Sequence, residues 1–290
     1  MRYAFIEQHR TEFEVSLMCE VLHVSRSGYY AWRKRPVSQR EMANQQLLEK
    51  IEAAYVASRG CYGSPRIYEE VKAAMPCSLN RVARLMRQHG IRAKQAKRFK
   101  TTTRRNEHHE VVPNHLNRDF TAQRPGEKWC GDLTYVWTAA GWLYLAVVID
   151  LYSRRVVGWA MGARMTAQLV IDAFQMAWQQ GRPPAGLTFH SDRGSQYTSH
   201  AFQQLLQQHG VQASMSGTGN CYDNAVVESF FGSLKKELIF DATYLTRTDA
   251  MTDIFFYIES FYNRRRRHST LGYVSPLAYE AQYQQLLILS

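Results

Sequence analysis

KWCGDLTYVWTAAGWLYLAVVIDLYSRRVVGWAM, residues 128–161, holds three runs rich in β-branched and aromatic residues, parted only by TAAG and LYS. Breaks that short reverse the chain between neighbouring strands, so the stretch predicts an antiparallel meander of three strands. Asp132 falls in the middle of the first run, where a charge is disfavoured unless something pairs with it. Period-two geometry sets it on the strand face shared by Cys130, Thr134 and Val136.

Downstream the pattern alternates. TAQLVIDAFQMAWQQG reads as a helix, GLTFHSD as a short apolar strand, SHAFQQLLQQHG as a helix ended by Gly210, and VQASMS as another strand. The loop GTGNCYDN leads into a long helix, AVVESFFGSLKKEL, and a last helix runs from about Asp249 to Asn263, before four consecutive arginines, Arg264 to Arg267. The order is βββαβαβα with further helices. A meander followed by strands joined through helices predicts a mixed sheet with helices on its faces, an α/β layout of the ribonuclease H-like kind.

That topology gives meaning to three acids. Asp192 follows the strand LTFHS directly, at a strand's carboxyl end, where open α/β sheets place their ligands. Glu228 opens the long helix among Val226, Val227, Phe230 and Phe231; acids are common at helix starts, so alone it signals little. In such a sheet the first and fourth strands are neighbours, and the helix of Glu228 crosses close by. Three converging carboxylates repel one another. Mg²⁺ relieves the repulsion, because it accepts carboxylate oxygens and water while leaving positions for phosphate, and two such ions suit a phosphodiester displacement. A chance trio of exposed acids is the competing reading. Asp150, at the end of the second strand, is a rival acid that a following Leu-Tyr-Ser turn explains. His190 shares a strand face with Asp192 and is either a site neighbour or a core residue.

The charge lies elsewhere. Of 36 Lys and Arg, 22 precede residue 119, against 11 of the 25 Asp and Glu; the 14 of each that follow cancel, and the formal charge is +11. Between Arg81 and Arg105 stand Arg81, Arg84, Arg87, Arg92, Lys94, Lys97, Arg98, Lys100, Arg104 and Arg105 with no acid among them. A block of that kind repels itself unless an anion is near, and double-stranded DNA is the partner it suits; the plainer alternative is a solvated basic face. Ser78 can cap a helix that turns Val82, Leu85 and Met86 inward and Arg81, Arg84 and Arg87 outward, as a recognition helix would. Helices are also expected over Asn44 to Tyr55 and, past the turn SRGCYGSPR, over IYEEVKAAM. Residues 4–33 read as short helices with Phe13, Leu17, Val21 and Leu22 at helical spacing and Ser25 as a cap; the rhythm is that of a helix-turn-helix, though any small bundle shares it.

These patterns divide the chain into an N-terminal helical part with a possible helix-turn-helix (1–40), a helix-turn-helix-like DNA-binding module with a basic tail (41–105), a polar linker with two prolines (106–126), the α/β core (127–245) and a helical extension carrying the arginine run (246–290). Hydrophobic residues make up 45% and aromatics 12%, too many for a disordered chain. No apolar run approaches a membrane span and no secretory leader opens the chain, so a cytoplasmic protein is expected. Five scattered cysteines without a C-x-x-C pair exclude a disulfide framework and a Cys/His zinc module.

The segments WCGDLTY (129–135), WLYLAVVID (142–150), SRRVVGW (153–159), FHSDRGSQYTS (189–199), NCYDNAVVESFFGSLKKEL (220–238) and YNRRRRHSTLGYVSPLAYE (262–280) together resemble the DDE transposases of the insertion sequence 3 family, related to retroviral integrases. YVASRGCYGSPRIYEEV and RVARLMRQHGIRAK are similar to that family's helix-turn-helix module, so the likeness covers nearly the whole chain. It is carried also by the 35 residues between Asp192 and Glu228, the family's interval. The resemblance implies DNA cleavage at the ends of a mobile element and transfer of the freed 3′ hydroxyl into target DNA, with Asp132, Asp192 and Glu228 as catalytic metal ligands. Lys235 lies two helical turns beyond Glu228, on the same face, and can hold a phosphate beside the metals. Mg²⁺, with Mn²⁺ as a substitute, is the implied cofactor. The implied partners are element ends and target DNA, further copies of the chain, and a first-reading-frame segment joined by frameshift fusion; this chain shows no sustained heptads of its own. Two rivals share the fold or the binding module: a structure-selective nuclease, and a DNA-binding regulator with a silent catalytic relic.

Overall fold

The structure, a computed structural model, describes residues 1–94, 113, 114, 116, 119–216 and 224–289. Its contacts form two compact units, Met1–Glu52 and Ala53–Ser290. The division falls inside a helix, whereas composition alone sets boundaries at 40, 105, 126 and 245.

The first unit contains α1 (Arg2–Gln8), α2 (Val15–Val21), α3 (Arg26–Lys34) and most of α4 (Gln39–Ala57). Ser25 caps α3, accepting the Gly28 N–H at 3.2 Å. Ser38 accepts the Glu41 N–H at 3.1 Å, so the helix expected from Asn44 begins five residues earlier. Ile6, Met18, Cys19 and Tyr29 form the core, while Phe13, Leu17 and Val21 are exposed. Two apolar stripes run along α2, and a helix of two turns gives the sequence no means of choosing between them; Tyr29, anchored by its hydroxyl to Glu7, selects the Met18 side.

In the second unit α5 (Ser64–Val71) and α6 (Leu79–Gln88) follow the turn at Arg59 and Gly60, both in the left-handed region. Ser78 caps α6 through the Arg81 N–H at 3.3 Å, and Val82, Leu85 and Met86 are buried. The meander then appears as β1 (Lys128–Thr138), β2 (Gly141–Asp150) and β3 (Val156–Gly162), antiparallel throughout. Next come α7 (Ala167–Gly181), β4 (Thr188–Ser191), α8 (His200–Gln208), β5 (Gln212–Met215) and α9 (Ala225–Glu237). The sheet order is β3-β2-β1-β4-β5, with β4 parallel to both neighbours.

Strand β2, inside the sheet, is buried from Leu145 to Asp150, as its apolar run requires. On one sheet face Trp129, Val148, Phe189 and the helices α7 and α8 bury Phe174 and Phe202 in a continuous aromatic core. Helix α7 lies so close to β3 that a Cβ on Gly158 would sit 2.2 Å from the Ala173 carbonyl oxygen. The helix expected over 249–263 is α10 (Arg247–Phe256), opened by a capping box between Thr246 and Asp249, and passes into a π-helical segment at Tyr257–Tyr262. A further helix, α11 (Pro276–Leu289), follows. No described helix is long and apolar enough to cross a membrane.

Candidate active site and DNA-binding residues

The register of β1 against β4 builds the site. Cys130 pairs with His190 and Gly131 with Ser191 in parallel alignment, so Asp132, next on β1, and Asp192, the first residue past the end of β4, stand in step. Asp132 Oδ1 accepts the N–H of Leu133 at 2.7 Å; Asp192 Oδ1 accepts that of Gly194 at 2.9 Å. One backbone donor each does not offset the lost hydration. Burial pushes both carboxyls up, Asp132 well above the usual range, and the charges of Asp192 and then Glu228 push Asp132 further. Gly194 permits this arrangement, since a Cβ there would lie 2.9 Å from Asp192 Oδ1.

Glu228 lies in the first turn of α9, where loss of hydration raises its carboxyl, and Lys235 sits two turns along the same helix. The Lys235 ammonium is 5.6 Å from the centroid of the Tyr135 ring. Burial lowers its affinity for a proton while the charge of Asp132 restores part of it, so Asp132 and Lys235 share one electrostatic environment. Among the described residues, no three His, Cys, Asp or Glu side chains form a ready-made metal cage. The close pair is Asp132 with Asp192. The charge of Glu228 raises Asp132 less than that of Asp192 does.

Sequence reasoning missed Tyr197. It is buried in the aromatic core, its Cε1 is 3.3 Å from where a Gly131 Cβ would be, and burial with the charges of Asp132 and Asp192 pushes its hydroxyl well up. Within FHSDRGSQYTS it was simply one more polar residue; only the packing shows it beneath the two acids.

The other candidates separate cleanly. His190 is a core residue, its ring nitrogens 2.9 Å from Ser214 Oγ and 3.2 Å from Ser216 Oγ. Asp150 accepts from the N–H groups of Gly126, Tyr152 and Ser153, the Trp129 indole and the Ser153 hydroxyl, which makes it a corner brace for the β2–β3 turn. Of the basic residues, Arg87 and Arg92 are exposed and Arg81 and Arg84 partly buried on α6 and its flank. Lys94 is paired with Asp241 at 2.5 Å. Lys97, Arg98 and Lys100 lie outside the described residues.

The arginine run needs correcting. Arg264 and Arg265 are exposed, but Arg266 is buried and its Nε and Nη2 donate to Glu237 at 2.7–3.1 Å, with Ser233 accepting another bond at 2.9 Å. Arg267 donates to Glu70 and to the Tyr273 carbonyl. A run of like charges reads as a DNA surface only if its members stay in water; these two neutralise buried or half-buried acids instead.

With this geometry established, comparison with known proteins decides the family. A model of an integrase core domain matches residues 122–221, a second integrase core model matches 209–276, and an HTH-like domain model matches 42–99. The chain is 46% identical over 283 residues to the transposase InsF for insertion sequence IS3A of Escherichia coli strain K12, covering 97% of this chain and 98% of that protein. It belongs to the insertion sequence 3 family of transposases. It is also 44% identical over 270 residues to the insertion element IS600 uncharacterized 31 kDa protein of Shigella sonnei, across 93% of this chain and 99% of that one. A chain of the simian T-cell lymphotropic virus intasome in complex with PP2A regulatory subunit B56 gamma overlays with a TM-score of 0.48 and 17% identity, over 76% of this transposase and 70% of that chain. The transposase therefore acts in DNA transposition and integration, a polynucleotidyl transfer, with an HTH-like module ahead of its integrase core.

Proposed function

We propose that Asp132, Asp192 and Glu228 are the catalytic carboxylates of this transposase, that they hold divalent metal, Mg²⁺ or in its place Mn²⁺, and that the reaction joins strand cleavage at element ends to transfer of a 3′ hydroxyl. The supporting observation is the half-buried pair Asp132, on β1, and Asp192, just past the end of β4, with the charge of Asp192 raising the cost of that on Asp132. An all-oxygen donor set of that kind fits a hard cation. When bound, the metal polarises the scissile phosphate and makes water or a DNA hydroxyl a better nucleophile.

The remaining work falls to the chain. Asp132 and Asp192 would be the primary ligands, and Glu228, in the first turn of α9, would complete the set. Lys235 holds a phosphate of the reacting strand beside Asp132. Arg81, Arg84, Arg87 and Arg92 on the HTH-like module, with Arg264 and Arg265, contact the DNA backbone and position the end. Two element ends must be held together, which calls for more than one copy of the chain, with a first-reading-frame segment contributing to recognition of the ends.

Calorimetric titration of the full chain with Mn²⁺ tests the metal reading. The wild type should bind, and Asp132→Asn and Asp192→Asn should each lose at least ten-fold in affinity; equal affinity in all three proteins would refute it.

A further inference from the structure

The β1–β2 hairpin exposes three large rings in a row. Trp137 and Trp142 stand opposite each other in register, with centroids 4.7 Å apart, and Tyr135 meets Trp142 edge-on at 5.0 Å. Their exposures are 59% for Trp137, 42% for Trp142 and 37% for Tyr135. Further along the same sheet face Leu133, Tyr144 and Ala146 pack into the core with α7 and α8. Beyond that cover a water-facing strand would ordinarily carry polar residues, so a contiguous aromatic ledge is the informative feature.

The ledge is held firmly in place. Thr138 Oγ1 donates to the Gly141 carbonyl at 2.6 Å, Ala139 N–H to the Tyr244 carbonyl at 2.9 Å, and Arg247 Nε to the Trp142 carbonyl at 2.9 Å. The ledge lies on the sheet face opposite Asp132, since Tyr135 is an odd number of residues further along β1. Strand β4 pairs with β1 only as far as Gly131, so the two faces meet at the β1 edge beyond it. Lys235, whose charge acts on Asp132, lies over the Tyr135 ring at its near end.

We propose that this ledge stacks unpaired bases of the DNA end, so that the transposase opens or captures a frayed terminus and feeds its backbone to the carboxylates. Exposed rings recognise the π-faces of bases without regard to sequence, and a cation at one end holds the adjoining phosphate. A paired duplex keeps its bases stacked on each other and offers the rings nothing. The direction of the feed rests on the assignment of Asp132 as catalytic, whereas stacking itself does not.

The test uses the full chain and a duplex with three unpaired terminal nucleotides, one of them 2-aminopurine, beside the same duplex with a blunt end. Wild type should quench the 2-aminopurine and prefer the unpaired end. Trp137→Leu, the most exposed ring and so the mildest to remove, and Tyr135→Leu should each lose most of the quenching and about ten-fold of that preference, with blunt-end affinity unchanged. Trp137→Phe should keep most of both, and this comparison stands even if Tyr135→Leu fails to fold. Undiminished quenching in Trp137→Leu would overturn the proposal. So would a changed sedimentation coefficient with unaltered DNA preference, which would make the ledge a contact between copies. Asp132→Asn should quench like wild type; were Asp132→Asn to remain active in strand joining, the metal reading would fall and the ledge would stand.

Discussion

Arg266 and Glu237 face each other in the interior, the guanidinium donating through Nε and Nη2 to both carboxylate oxygens while the Tyr257 hydroxyl donates to Glu237 at 2.8 Å. The pair ties the segment after the π-helix to the C-terminal turn of α9, the helix that carries Glu228 and Lys235. Glu237→Gln would leave the guanidinium buried without its counter-charge, at a cost of about 3–5 kcal/mol. Chemical denaturation should show that loss, with Arg264→Ala, an exposed neighbour, close to wild type.

Protonation of His268 provides a second test. Its ring is buried edge-on against Tyr262 at 5.0 Å, and burial with the charges of Arg266, Arg66 and Arg154 pushes its pKa down to about 3. The unfolded chain takes up this proton near the ordinary value of 6.5 while the folded chain refuses it, so stability is complete above pH 6.5 and is lost as pH falls toward about 3. A stability series over that window should slope downward for the wild type, by up to ~1.4 kcal/mol per pH unit from this group, and less steeply for His268→Gln.

Without metal, the carboxylate pair should weaken the fold. Both acids have raised pKa values, so the folded chain holds protons longer than the unfolded one and loses stability as pH climbs through the carboxylate range. At neutral pH in EDTA, Asp132→Asn should therefore be more stable than wild type, by about 1 kcal/mol or more. Adding Mn²⁺ should raise the melting temperature of the wild type and leave that of Asp132→Asn nearly unchanged.

Lys235 predicts a separation of effects. Lys235→Ala should weaken placement of the reacting end, reducing joining several-fold at saturating DNA, while overall binding changes little, because one phosphate contact is a small share of a basic surface. Lys235→Arg should recover part of the activity. Equal joining by the Ala variant would leave the lysine as a partner of Tyr135 alone.

The meander, the βββαβαβα order and the positions of Asp132 and Asp192 were legible because each strand's apolar run and each short break acts locally. The buried faces of α2 and the roles of Arg266 and Arg267 were not, since each depends on a residue distant in sequence: Tyr29 for the first, Glu237 and Glu70 for the others. Tyr197 was hidden for the same reason. Its relation to the two acids arises from parallel pairing of β1 with β4, which no spacing along the chain reports.

The central claim is that three carboxylates carry the chemistry while most of the affinity for DNA comes from other residues. Its most direct test is a Mn²⁺ incubation of labelled element ends and target DNA with wild type, Asp132→Asn, Asp192→Asn and Glu228→Gln, each scored for cleaved strands, joined strands and a shifted band. These replacements keep side-chain volume and remove one charge each, so cleavage and joining should both fall by at least about a thousand-fold while the shifted band persists. Wild-type cleavage and joining by any of the three variants would contradict the assignment of that residue, and by Asp132→Asn or Asp192→Asn the account of the site as a whole.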